Sequence, residues 1–160
     1  MRTSNPFLQI VLVLILGLNP LGKAWSQSSA LKFPSLAAQY PWSEKDLIQP
    51  SDLATQLNKV LGKKPLIFNI GVVGNIKGAK SFGAASEAAN LEAFKKELSS
   101  LPKDASFVYY CGCCPFEKCP NIRPAFSLVK SMGFTNAKLL NLTTNLKTDW
   151  IAKSYPLAKQ

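Results

Sequence analysis

What most constrains the fold of this chain is an alternation between apolar runs and amphipathic stretches. PLIFNIGVV, residues 65–73, is a near-continuous apolar run, ASFVYYC, residues 105–111, is a second, and AKLLNL, residues 137–142, is a third. A strand with one wet face would alternate, whereas a strand buried on both faces does not. Between the runs the period changes to that of a helix. Leu53, Leu57, Val60 and Leu61 share one face behind Ser51 as N-cap, with a stop near Gly62. Leu91, Phe94 and Leu98 repeat the pattern in NLEAFKKEL, and a third helix is expected from about Arg123 to Met132, ended by Gly133. A short extended piece precedes the first helix, and TDWIAKSY closes the chain as a short helix. Strands and helices in alternation predict an α/β fold, with a central parallel sheet flanked by helices on both faces. In such sheets the ligand crevice lies beyond the carboxyl ends of the strands. Cys111 falls at that edge, as the last residue of a central strand, with a helix N-terminus after its loop.

The chain opens MRTSNPFLQIVLVLILGLNPLGKAWSQSS, with Arg2 ahead of an apolar stretch from Phe7 to Leu18. Pro6 and Pro20 bracket thirteen residues, against the ~20 that a spanning helix needs. Ala24-Trp25-Ser26 puts small residues where a signal peptidase reads, so residues 1–26 are expected to be a cleaved secretory signal. The chain is then exported, to the periplasm or beyond, without stable membrane insertion. Residues 27–45, where Pro34 and Pro41 interrupt any period, read as a linker or N-terminal arm, and residues 46–160 as the domain. Loss of Arg2 and Lys23 with the signal lowers the net charge from +10 to +8. The lysines are scattered rather than massed, which argues against nucleic-acid binding. A positive field of this kind still favours small anions such as thiosulfate or sulfite.

All four cysteines lie within nine positions of YYCGCCPFEKCPNIRPAF: Cys111, Cys113, Cys114 and Cys119. There is no histidine, which removes Cys–His nucleophile pairs and mixed Cys/His zinc sites. Export would place the thiols in an oxidising compartment, where cysteines tend to pair. Three complete pairings are open, of which Cys113–Cys114 would be a strained vicinal bridge. Four thiolates are also open to Cu(I) or zinc, although a single short loop makes a closed tetrahedron awkward. A sulfur at a strand end before a helix N-terminus has a lowered pKa and holds anionic sulfur well. Lys118 and Arg123 are the nearby positive charges, against Glu117. Pro115, Pro120 and Pro124 cannot donate, so an anion cradle must draw on Gly112, Cys113 and Cys114, Phe116 to Cys119, and Asn121 to Arg123. YCGCCP also looks like a thioredoxin active site, but the 27 residues after Gly133 hold one proline, Pro156, too little for that fold's downstream strands.

Taken in order, these segments resemble a rhodanese-like domain over roughly residues 46–158, in a secreted subgroup with a Cys-rich active-site loop. LIQPSDLATQL is similar to its opening strand and helix, and PLIFNI to the strand usually read L-I-D-V-R. GNIKGA, residues 74–79, resembles G-H-I-P-G-A, and FVYYC the strand that ends in the catalytic cysteine. MGFTNAKLLNL and TDWIAKSYP resemble the closing segments with their Trp and Pro. The family's Asp and Arg stand here as Asn69 and Gly71, its His as Asn75, and the cysteine loop is longer.

The resemblance implies a sulfurtransferase in which Cys111 carries sulfane sulfur as a persulfide, with no cofactor. The partners implied are a small anionic sulfur donor and a thiol or cyanide acceptor. One of Cys113, Cys114 or Cys119 is a candidate internal acceptor, which would couple transfer to disulfide formation. The alternatives are a soft-metal thiolate site on Cys111, Cys113, Cys114 and Cys119, or a disulfide-stapled binding module without chemistry. Trp150 and Phe134 are expected in the core. Asn69, Gly71 and Asn75 are expected to line the crevice floor.

Overall fold

A computed structural model describes residues 40–159. The expected signal, the first part of the arm and Gln160 lie outside the described residues.

Among the described residues, five strands form one parallel sheet: β1 (Leu47–Ile48), β2 (Leu66–Asn69), β3 (Ala79–Ser81), β4 (Phe107–Tyr110) and β5 (Ala137–Leu140). Their spatial order is β1-β5-β4-β2-β3, which puts β4 in the middle. Register pairs Phe68 with Tyr109 on one side of β4, and Tyr109 with Leu139 on the other. Helices are α1 (Pro50–Asn58), α2 (Ala88–Ser99), α3 (Ile122–Ser131) and the single turn α4 (Leu146–Asp149).

All four residues of β4 are buried, because the sheet is covered on both faces. Phe107 and Tyr109 face a core shared with Phe94 and Leu98 of α2 and with Ala125, Phe126 and Val129 of α3. Val108 and Tyr110 face the opposite core, with Leu53 and Leu57 of α1, Leu146 of α4 and Trp150. The first core is aromatic. Phe68, Phe94, Phe107 and Phe134 make ring pairs at 5.1–5.6 Å, each such contact adding about 0.5–1.5 kcal/mol to the burial of its rings.

Four details differ from the expectations. The first helix starts at Pro50 with Gln49 as N-cap, not Ser51, because proline suits the first helical position. It also ends early: Lys59 is extended, so Val60 and Leu61 are 95 % and 86 % exposed instead of lying on the apolar face. The edge strand β3 arises in the Gly-punctuated segment, where a three-residue strand has no length for a period to show. Finally, the arm's Trp42 is buried against Phe116 and Phe126, at centroid distances of 5.0 and 5.8 Å, so residues before 46 share the core.

No helix among the described residues is long and apolar enough to cross a membrane.

Candidate functional site

The carboxyl end of β4 delivers Cys111 into a junction of three segments. Behind it, Ile70 N–H donates to the Tyr110 carbonyl at 2.8 Å, continuing the β2–β4 ladder past the strand end. Gly71 then passes so close that an added Cβ would sit 2.6 Å from Cys111 Sγ. In front, Gly112 takes φ +81°, and its carbonyl accepts from Leu146 N–H at 2.9 Å. A Cβ at Gly112 would meet Leu146 Cβ at 2.9 Å, so both flanking backbones require glycine.

These constraints fold the loop back on itself. Cys111 Sγ lies 3.2 Å from Cys113 Sγ, which lies 3.4 Å from Cys114 Sγ. The sulfurs of Cys111, Cys113 and Cys119 fall within 4.8 Å of one another. Cys111 and Cys119 are buried, Cys114 is half-buried and Cys113 is exposed; all four are free thiols. Asn121, the residue before α3, is buried and donates its amide Nδ2–H to Cys111 Sγ at 3.2 Å. Its Oδ1 is committed to Ser86 N–H at 2.9 Å, which orients the amide so that its donor end faces the sulfurs.

These donors set the charge. The Cys119 thiol, the Cys113 backbone N–H and the Asn121 amide hold the Cys111 thiol down at about 5, against the opposing effect of burial. The neighbours move the other way. Burial and the adjacent Cys111 and Cys114 sulfurs push Cys113 up to about 12, and donation to Cys111 pushes Cys119 up. Cys111 is thus the anion at neutral pH, with Cys113 and Cys119 as its protonated partners.

The expected loop residues separate into two groups. Cys111, Gly112, Cys113, Cys114, Cys119 and Asn121 converge. Lys118, Glu117 and Arg123 are exposed, and the Arg123 guanidinium lies over the Tyr40 and Trp42 rings at 5.7 and 5.4 Å. The thiolate is therefore held by neutral donors rather than by Lys118 or Arg123. Phe116 is buried in the aromatic contact with Trp42, where it anchors the loop.

Asn69, Gly71 and Asn75, expected to line a crevice floor, are joined in a neutral amide network. Asn69 accepts from Gly71 N–H at 3.0 Å and donates to the Val73 carbonyl and to Asn75 Oδ1, at 2.8 and 3.0 Å. Tyr110 is the residue that the sequence reading misses. Its hydroxyl accepts from Ile76 N–H at 2.9 Å and donates to the Gly74 carbonyl at 3.2 Å, fixing the segment beside the floor. Its place directly before Cys111, with the side chain on the opposite face, is the available signal.

Cys113 is the exposed sulfur of the cluster, so a reagent meets the cluster there. The three converging sulfurs also suit a soft cation, with Cys114 outside that set.

No protein-family model matches the chain, and no curated protein matches it significantly.

Proposed function

We propose that this is an exported, rhodanese-like sulfurtransferase that carries sulfane sulfur on Cys111. The observation that supports it most is the buried Cys111 sulfur at the carboxyl end of the central strand, which accepts from the Asn121 amide at 3.2 Å. A low pKa gives the nucleophile at neutral pH. The strand order, with β4 central, the close approach of Gly71 to Cys111, and the hydrogen bonds that join Asn69 to Gly71 and Asn75 support the fold resemblance.

In the reaction, Cys111 Sγ attacks the outer sulfur of a donor such as thiosulfate. The donor's S–S bond breaks, sulfite leaves with the bonding pair, and a persulfide anion remains on Cys111. Asn121 Nδ2–H and the Cys113 N–H are placed to stabilise that anion. An external thiol or cyanide then removes the sulfur.

Incubation with thiosulfate should release sulfite, and Cys111→Ser should release none. Sulfite release by Cys111→Ser at the wild-type rate would overturn the assignment.

A second reading has its own support in the three sulfurs within 4.8 Å: Cu(I) binding by Cys111, Cys113 and Cys119, a coordination that soft thiolates favour. The variant with Cys113, Cys114 and Cys119 all changed to Ser separates the two. Under sulfur transfer it still loads one sulfur. Under metal binding the wild type holds Cu(I) tightly in competition titration, the variant binds far more weakly, and neither takes up sulfur.

A further inference from the structure

We propose that Cys113 is the resolving thiol of this site, so that the domain reduces sulfane sulfur to sulfide through a Cys111–Cys113 disulfide. The proposal rests on the loading of Cys111 described above. Three observations select Cys113 among the other three cysteines.

The first is distance. Cys113 Sγ lies 3.2 Å from Cys111 Sγ, and a disulfide requires an approach to about 2.05 Å. The second is the backbone that creates this distance. In a Cys-Gly-Cys sequence an extended chain would hold the two cysteines about 7 Å apart, and Gly112 at φ +81° breaks that extension where the sulfurs come to 3.2 Å. A Cβ at this position would meet Leu146 at 2.9 Å, which keeps it a glycine. The third is access. Cys113 is exposed whereas Cys119 is buried, so only a disulfide that includes Cys113 or Cys114 presents a sulfur to a reductant. Cys114 Sγ reaches Cys113 at 3.4 Å but forms no contact with Cys111.

The step balances without an added oxidant, because the sulfane sulfur is the oxidant. Cys113 sulfur attacks Cys111 Sγ of the persulfide, and a new S–S bond forms between them. The bond from Cys111 Sγ to the outer sulfur breaks. That outer sulfur leaves with the bonding pair and takes up the Cys113 proton, as HS⁻. The two cysteines are oxidised by two electrons and the sulfane sulfur is reduced by two. A thiol reductant then attacks the exposed Cys113 sulfur; two such thiols regenerate the site and leave as their own disulfide. Thiosulfate is a suitable probe because its two products report separate events: sulfite for loading and sulfide for resolution.

The reduced full chain, freed of reductant, is mixed with thiosulfate, and sulfite, sulfide and alkylatable thiols are counted. The wild type should release sulfide in step with sulfite and lose two alkylatable thiols, with peptide mapping linking Cys111 to Cys113. Cys113→Ser should release sulfite, keep the persulfide and release no sulfide. Sulfide release by Cys113→Ser as in the wild type overturns the proposal, as does a stable persulfide in the wild type or a disulfide mapped to another pair. In those cases sulfite release leaves the sulfurtransferase reading standing. Absence of sulfite removes the loading step, and both proposals fall together.

Discussion

Asn121 and Gly71 both meet the Cys111 sulfur, one by donating to it and one by having no side chain. Asn121→Ala removes the Nδ2–H at 3.2 Å and leaves Ser86 N–H without its acceptor. The Cys111 thiol should then titrate higher, read as a rightward shift in the pH profile of iodoacetamide alkylation. Gly71→Ala forces a Cβ to within 2.6 Å of Cys111 Sγ. Overpacking of that kind costs about 1–3 kcal/mol, and denaturant unfolding should register it. The same thiol makes stability depend on pH. Its pKa is lowered in the fold to about 5, from 9.0. Between those values the folded chain has lost a proton that the unfolded chain keeps. Stability from this group is therefore full above about pH 9 and lost as the pH falls through about 5. Cys113, raised to about 12, acts in the opposite direction above pH 9. The wild-type advantage over Cys111→Ser should accordingly grow from pH 5 to 9 in paired unfolding curves, and a pH-independent difference would refute the lowered pKa.

At the scale of elements, the loop after β4 is held by anchors at its start, middle and end. Gly112 ties it to α4 through the Leu146 N–H, Phe116 ties it to the aromatic core, and Asn121 joins it to α3 and Ser86. Gly112→Ala has to place an L side chain at φ +81° against Leu146, and should cost more than about 1 kcal/mol. Measured against Cys113→Ser, which removes no anchor, it should lower the melting temperature while Cys113→Ser leaves it nearly unchanged. The end of α1 makes the opposite case. Val60 and Leu61 fit a helical apolar face on paper, but Lys59 has already turned the chain toward β2. Val60→Ser should therefore shift stability by no more than about 0.5 kcal/mol in chemical denaturation. Local periodicity assigns a face only while the helix lasts, and here it ends at Asn58.

For the whole molecule, the packed unit extends into the segment expected to be a linker. Trp42 joins Phe116 and Phe126, and truncating a buried aromatic costs about 3–5 kcal/mol. A chain that begins at residue 46 should unfold at markedly lower denaturant than one that begins at residue 40. Export is tested separately: the secreted chain should start at or near Gln27 by N-terminal sequencing. The α/β class, the parallel sheet and the position of Cys111 at its carboxyl edge were legible in the sequence by itself. Doubly buried strands such as FVYY must be apolar on both sides, and that requirement is written residue by residue. The cluster's working geometry was not legible. Lys118 and Arg123 are the positive charges that follow Cys111 in its loop and the next helix, but the fold commits Arg123 to Tyr40 and Trp42 and gives the sulfur neutral donors instead. Likewise, nothing local reveals that Gly71, forty positions earlier, abuts Cys111 Sγ, or that Asn121 is oriented by Ser86. Backbone class follows from patterns that each segment carries alone. A thiol's charge and partners depend on distances of a few ångströms between segments far apart in the chain, and those exist only once the sheet has brought them together.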